Sequence, residues 1–381
     1  YDSLYLVDNP LLSNFSPEPK LKKHSGKLRV AILSDKFATH IMSSQTVFQD
    51  IIFSGLPDDV EVWLFATKSH ADKYTEAYRK KSHHFIDLSP LSIEESRAII
   101  KEAEIDVVVD IVSSTRAEYW ELFEDSIRLG TNHTSSFQKN YFHYIVDQKD
   151  RFPAWQKHFA SLISTELHYF FPTPAATKIN PSIPSTTNRY ITFGVFSRLI
   201  KIHPNNYDTW TTLLNEVPKS RIAFSFIQLY KPLQFIILQA FKQRGISSDR
   251  ITFFDRSGEE KHMIKYNVID VVLDTFPVGS SFSGTDAIWM GVPIVGLSRK
   301  TDHAGLTADT LKRLGKESWI ASNEREYIDI CKRLAADRIY RKSLKSTLRQ
   351  DLINTNILNG EKFSKNMYEG IKELAGANKN C

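Results

Sequence analysis

The sequence predicts an α/β protein built from two doubly wound domains that face each other across a cleft. Three observations predict it. Short β-branched runs alternate with amphipathic stretches, the pattern of βαβ units around a mostly parallel sheet. The alternation runs twice, with a break over 151–188 that holds Pro153, Pro172, Pro174, Pro181 and Pro184. The length, 381 residues, suits two domains at roughly 100–200 residues each.

The elements follow in order. Residues 1–26 are polar, with Pro10, Pro17 and Pro19, and read as an irregular lead-in. The first domain is expected over 27–150. Its strands are Leu28–Leu33, Val60–Ala66, His84–Leu88, Asp106–Val112 and Phe142–Asp147. The run Asp106–Val112 is almost wholly apolar, as a strand covered on both faces should be. Ser92 and Glu95 have the spacing of a capping box that opens a helix to about Ala103. Residues 151–188 read as the connection. The second domain is expected over 189–355, with strands Tyr190–Ser197, Arg221–Leu229, Ile251–Phe254, Val268–Asp274 and Pro293–Leu297. Helices are expected at Asn205–Glu216 and Pro232–Arg244, the latter closed by Gly245 as its C-cap. Beyond Ser322 the chain reads as three helices, and 356–381 holds the last of them.

Composition narrows the function. The apolar fraction of 41% and charged fraction of 24% are ordinary for a globular chain. The net charge of +5 is spread thinly, so nucleic acid is not an expected partner. The two cysteines, Cys331 and Cys381, form no disulfide framework or zinc pattern, which fits a reducing, cytoplasmic compartment. No apolar run reaches the roughly 18 residues that span a bilayer. The chain begins at Tyr1 without a methionine or a signal-peptide layout, which leaves room for a domain upstream.

Ligands of open α/β sheets bind beyond the C-terminal ends of strands, so the loops there carry the chemistry. After Tyr190–Ser197 come two cations, Arg198 and Lys201, and a lysine there can neutralise a diphosphate leaving group. After Val268–Asp274 comes Val278–Asp286, with Gly279 and Gly284 permitting close backbone approach. The N–H groups of the helix that opens there, with the hydroxyls of Ser280, Ser281, Ser283 and Thr285, suit a phosphate. Asp286, about a turn inside that helix, can accept hydrogen bonds from ribose hydroxyls. His262, in a helix after Ile251–Phe254, can contact a donor's base, ribose or phosphate. In the first domain His40 lies at a strand's mouth, as a general base or acceptor-side residue. His133 has a similar place. Each segment also has a plainer reading: a solvated basic loop, a well-capped helix, a structural histidine.

In this order the pieces resemble glycosyltransferase family 41, the family of the protein O-GlcNAc transferases and the bacterial protein glucosyltransferases related to them. The likeness covers about 27–375 and is closer to the O-GlcNAc transferase branch. Leu28-Arg29-Val30, Ser34-Asp35 and His40 look like that family's opening strand and cleft histidine. Tyr144–Gln148 and Glu166–Pro172 are similar to its passage into the linker. Phe196 with Leu199–Pro204 looks like the loop whose diphosphate-binding lysine maps to Lys201. Glu259–His262, eight residues before Asp270, keeps the spacing of its nucleotide-binding histidine. Ser281–Asp286 followed by Trp289, Gly291 and Pro293 is the most specific match, to its phosphate and ribose loop. The departures lie in the donor pocket. Arg198 stands where the family often has glutamine, and Glu259 replaces a lysine. Ser281, Phe282 and Ser283 replace a histidine–threonine–threonine run.

The resemblance implies a GT-B fold of two Rossmann-like domains. With it comes an inverting, metal-independent transfer of a hexose or N-acetylhexosamine from a nucleotide-sugar, a UDP-sugar, to a protein side chain. It implies Arg198, Lys201, His262, Ser281, Phe282, Ser283 and Asp286 at the donor, Lys201 and His40 in catalysis, and His40 on the acceptor side, where the placement of His133 in the sequence adds that residue. No cofactor and no metal are expected, because the nucleotide-sugar is a substrate. Metal independence agrees with the residues, since a helix N-terminus plus Lys201 can hold the charge a divalent ion would hold. A glycan acceptor stays open, as does a nucleotide-sugar-binding protein without transfer activity or an epimerase of the same fold. The helical repeats that precede the catalytic part in O-GlcNAc transferases are absent from this sequence.

Overall fold

The computed structural model describes residues 26–35, 37, 51–111, 119, 121–131, 143–146, 161–165, 177–225, 231–254, 259–280, 282–298 and 305–379. The chain forms two compact units, one of residues 1–169 with 359–381 and the other of 170–358.

The first unit holds a parallel sheet of seven strands. These are β1 (Leu28–Ser34), β2 (Val60–Ala66), β3 (His84–Asp87), β4 (Val107–Asp110), β5 (Ile127–Thr131), β6 (His143–Val146) and β7 (Ser161–Ser164), in the order β3-β2-β1-β4-β5-β6-β7. Strand β4 is buried throughout, which is why its sequence is apolar without alternation. Helix α1 spans Lys73–Lys81 and α2 spans Ile93–Ala103. The expected capping box is formed. Glu95 N–H donates to Ser92 Oγ at 3.2 Å, and Ser92 N–H donates to Glu95 Oε2 at 2.8 Å.

Two strands here differ from the expectation. Ser161–Ser164 falls inside the stretch read as a connection, yet it pairs with β6 as the sheet's edge. Four residues with serine at both ends give no β-branched run to read. Strand β5 carries Arg128 and Gly130, which masks it in the same way. The guanidinium of Arg128 is accommodated by donating to the Phe123 carbonyl at 3.1 Å. The C-terminal helix Gly360–Lys379 completes this unit, with Ser364 Oγ donating to Ile52 O at 3.0 Å and Asn366 Nδ2 donating to Thr165 O at 2.9 Å.

The second unit holds six parallel strands: β8 (Thr192–Val195), β9 (Arg221–Phe224), β10 (Ile251–Phe253), β11 (Val271–Leu273), β12 (Ile294–Leu297) and β13 (Ile320–Ala321). Their order is β10-β9-β8-β11-β12-β13, so the chain leaves β8 first to one side and then to the other. Helices α3 (Pro204–Glu216), α4 (Lys231–Lys242), α5 (Glu259–Ile264), α6 (Phe282–Trp289), α7 (Gly305–Arg313), α8 (Glu324–Ala336) and α9 (Arg338–Asn354) accompany the sheet. As expected, α4 is closed by Gly245, at φ +79°, where the left-handed backbone favours glycine. Strand β13, only two residues long, is too short to read from the sequence.

The core of this unit is one cluster of buried side chains, with Trp210, Tyr266 and Phe224 at its centre, all fully buried. Among the described residues no helix is long and apolar enough to cross a membrane.

Candidate functional site

Strands β8 and β11 are neighbours at the point where the strand order reverses. In open α/β sheets this is where two successive loops diverge and leave a crevice. The loops after β8 and β11 are therefore brought together by topology, although about 80 residues separate them in sequence.

The loop after β8 begins with Phe196, whose buried ring stacks on Tyr266 at 3.9 Å between centroids. It then makes a tight turn, Leu199–Lys201, with Lys201 N–H donating to the Arg198 carbonyl at 2.9 Å. Pro204 follows as the first residue of α3, a position that loses no helical hydrogen bond. The turn leaves Arg198 exposed and Ile200 90% exposed, while Lys201 is half-buried. The Lys201 ammonium crosses to the other loop and donates to the Gly279 carbonyl at 2.8 Å. Burial lowers its pKa, the charge of Asp274 opposes that, and Arg198 adds to it.

The loop after β11 is organised by Asp274. Its Oδ1 accepts from Thr275 N–H at 2.9 Å and from Ser280 N–H at 2.6 Å. Its Oδ2 accepts from Thr307 Oγ1 at 2.5 Å. Burial raises the Asp274 pKa, against the hydrogen bonds from Thr307 and Ser280 and the charge of Lys201. Thr275 Oγ1 ties the two loops together, with Ser197 Oγ at 3.0 Å and the Val278 carbonyl at 2.8 Å. The loop delivers the chain to the N-terminus of α6, where the positive end of the helix dipole favours an anion. Ser280, read from the sequence as a phosphate donor, has its N–H committed to Asp274 and is 3% exposed.

His262 and Asp286 meet beside this loop. His262 Nε2 lies 3.8 Å from Asp286 Oδ2, and both side chains are buried. The imidazole edge sits against Phe196 at 5.8 Å and Tyr266 at 5.6 Å. Tyr266 also donates its hydroxyl to the Ser283 carbonyl at 3.0 Å, fixing the first turn of α6. Burial, helped by the positive charge of Lys265, pushes the His262 pKa down to about 4. The ring is thus neutral near pH 7, a hydrogen-bonding group and not a cation.

The low pKa of His262 has a consequence for stability. A histidine that stays neutral when folded but binds a proton near pH 6.5 when unfolded makes stability fall as pH drops from about 6.5 toward 4. Between pH 7 and pH 5 the expected loss is about 2 kcal/mol. Urea midpoints at the two pH values measure it, and His262→Gln is expected to remove most of the difference. Surface carboxylates such as Glu216, held near 2 by Arg325 and Lys332, act only at lower pH.

The structure therefore brings Arg198, Lys201, His262, Phe282, Ser283 and Asp286 into one unit and onto adjoining segments. His40, His133 and Ser281 lie outside the described residues. In the segment Trp289–Pro293, Gly291 and Trp289 pack against α9. Gly291 has φ +68°, and a Cβ there would stand 2.9 Å from the Lys345 Cα, so the position is set by packing against α9. Trp289 lies under the Arg349 guanidinium, 4.6 Å from its ring centroid. Asp274, Thr307 and Tyr266 were not singled out from the sequence. An aspartate closing an apolar strand was the one visible signal; Thr307 and Tyr266 sit in no motif.

The profile of Glycosyl transferase family 41 matches residues 177–367. The Solanum lycopersicum SPINDLY protein, described as a probable UDP-N-acetylglucosamine–peptide N-acetylglucosaminyltransferase, is 25% identical over 81% of this chain and 34% of its own length. The Caenorhabditis elegans UDP-N-acetylglucosamine–peptide N-acetylglucosaminyltransferase is 26% identical over 48% of this chain and 16% of its own. The chain thus spans about a third or less of the curated relatives it matches. Among solved structures, a Thermobaculum terrenum O-GlcNAc transferase superposes with a TM-score of 0.81 at 21% identity, over 93% of this chain and 69% of that one. The sucrose-phosphate synthase of Thermosynechococcus elongatus gives 0.59 at 13% identity, over 92% and 100%. At these identities the likeness shows the fold, which is GT-B.

Proposed function

The chain belongs to glycosyltransferase family 41, and from that premise we propose that it transfers a hexose or N-acetylhexosamine from a UDP-sugar to a protein side chain, with inversion and without a metal ion. The observation that carries the reading is the Lys201 ammonium, half-buried at the switch point of the second sheet, with the N-terminus of α6 beside the same loop.

A donor diphosphate fits between these groups. Lys201 exchanges the Gly279 carbonyl for a phosphate oxygen, and the positive end of the α6 dipole adds to the attraction for the same anion. The neutral His262 and Asp286 stand beside it for the nucleoside, as hydrogen-bonding partners of base or ribose. In the transfer, an acceptor oxygen forms a bond to the anomeric carbon from the face opposite the diphosphate. The bond from that carbon to the phosphate oxygen breaks, and its electron pair leaves with the diphosphate. The acceptor proton passes to a base, for which His40 is the candidate, or to a phosphate oxygen. Negative charge grows on the leaving diphosphate as the bond breaks. Lys201 and the helix N-terminus are therefore worth more in the transition state than in the ground state. Names of the relatives support a UDP-sugar and a peptide acceptor. Arg198, Glu259 and the Ser281–Ser283 run set the choice of sugar and base.

The test is release of nucleoside diphosphate from UDP-sugars, with and without a panel of peptide and glycan acceptors. Acceptor-dependent release on peptides is the expected result. Conversion of donor with no acceptor would favour an epimerase, and binding without turnover a scaffold role; either outcome removes the proposal.

A further inference from the structure

We propose that Asp274 is a positioning residue of the donor site, one that holds the anion-binding loop in its receiving form and sets its negative charge on the peptide unit that receives the Lys201 ammonium. The proposal rests on the reading of Lys201 as the diphosphate-binding cation.

The geometry argues it in two steps. Three donors converge on the two oxygens of a fully buried carboxyl: Thr275 N–H, Ser280 N–H and Thr307 Oγ1, at 2.9, 2.6 and 2.5 Å. Two of these donors, the N–H groups of Thr275 and Ser280, cannot accept, which requires an unprotonated oxygen at Oδ1. Those bonds pin the loop at both of its ends, residues 275 and 280. Gly279, whose carbonyl receives Lys201, is adjacent to Ser280. Asp274 therefore fixes where the ammonium is aimed without contacting a ligand. Thr307 anchors the carboxylate from α7, and Tyr327 anchors the strand end from α8 by donating to the Asp274 carbonyl at 3.0 Å.

The second step is electrostatic. Lys201 sits where burial and Arg198 both favour its neutral form, and Asp274 is the negative charge that opposes them. Among the described residues, the charged and titratable groups that act on the pair are Arg198 on the β8 loop and Tyr327 on α8. Removing the Asp274 charge lets the other two influences act unopposed, so Lys201 loses its proton at lower pH. A residue with only a structural role would leave that titration where it is.

Asp274→Asn separates charge from shape. Its amide oxygen can still accept from Thr275 and Ser280, and its amide nitrogen can donate to Thr307 Oγ1. UDP, GDP and TDP are each titrated calorimetrically against the wild type, Asp274→Asn and Thr307→Val from pH 6 to 9.5. For Asp274→Asn the alkaline fall in affinity is expected to begin at lower pH, with binding at pH 9 relative to pH 7 weakened about threefold more than in wild type. For Thr307→Val, which keeps the charge but frees the carboxylate, affinity is expected to drop about 5-fold at every pH. Wild-type affinity and pH profile in a folded Asp274→Asn would overturn the proposal. If that variant does not fold, unchanged affinity in Thr307→Val overturns it instead. Should the wild type bind none of the three nucleotides, the donor-site reading falls and this inference falls with it. Loss confined to the variants would instead uphold both.

Discussion

Replacing Lys201 by alanine is expected to lower kcat/KM for the donor about 10²–10³-fold, the range measured when a preorganised group aimed at developing charge is removed. Lys201 is half-buried, its ammonium spans from the β8 loop to the β11 loop, and the carbonyl it reaches, that of Gly279, precedes α6 by three residues. In such a place its charge is screened less than at an open surface and is aligned before the reaction begins. Diphosphate charge increases as the glycosidic bond breaks, so most of the loss is expected in kcat. The fold should survive, because the side chain makes one hydrogen bond, to Gly279, and a partly desolvated ammonium stabilises little. Steady-state kinetics together with a melting curve check both halves of the prediction. Arginine at this position is not expected to rescue, since its planar fork is bulkier and needs a different set of acceptors.

The second large effect is on stability. Trp210→Ala is expected to destabilise the second unit by about 3–5 kcal/mol. Trp210 is fully buried on α3, the helix that follows the Lys201 turn, and it packs edge-on to Tyr207 and Phe224 at 6.1 and 6.0 Å. Truncation there leaves a cavity between α3 and β9 that large rings cannot close by rotating. For a unit of this size the expected fall in Tm is on the order of 10 °C. Differential scanning calorimetry reads it directly. A fall of under about 2 °C would mean that the site relaxes or that α3 is not packed as described.

Much of this fold was legible because parallel strands covered on both faces must be apolar. Val107–Asp110 and Thr192–Val195 announce themselves in that way, and Val60–Ala66 has the bounds expected of it. Caps were legible for a related reason, since Ser92 with Glu95 and Gly245 have side chains or backbone freedom that few other positions need. Strands β5, β7 and β13 were not legible. The first contains arginine and glycine and the others are short, and their pairing is decided by neighbours far away in sequence.

The candidate site divides along the same line. Lys201 and Asp286 were readable as charged groups beyond strand ends. What the sequence could not show is that Asp274 consumes the Ser280 N–H, or that Tyr266 bridges His262 and α6 through Phe196 and Ser283. The stacking of Tyr266 on Phe196 joins segments brought together by the pairing of β8 with β11, while the Asp274–Ser280 bond is a turn within one loop that no sequence signal announces. In the motif that looked most specific, Ser281–Pro293, the structure adds that Trp289 and Gly291 pack against α9.

The central claim is a nucleotide-sugar donor site in the second unit built around Lys201. Thermal shift of the purified chain against UDP, GDP, TDP and their sugars tests it most directly. At a ligand concentration 100 times Kd, binding stabilises the folded state by about 2.7 kcal/mol, or roughly 5–10 °C for a unit of this size. One nucleotide series is expected to shift the wild type by that much and Lys201→Ala by far less. No shift with any nucleotide, or an equal shift in the variant, would contradict the account.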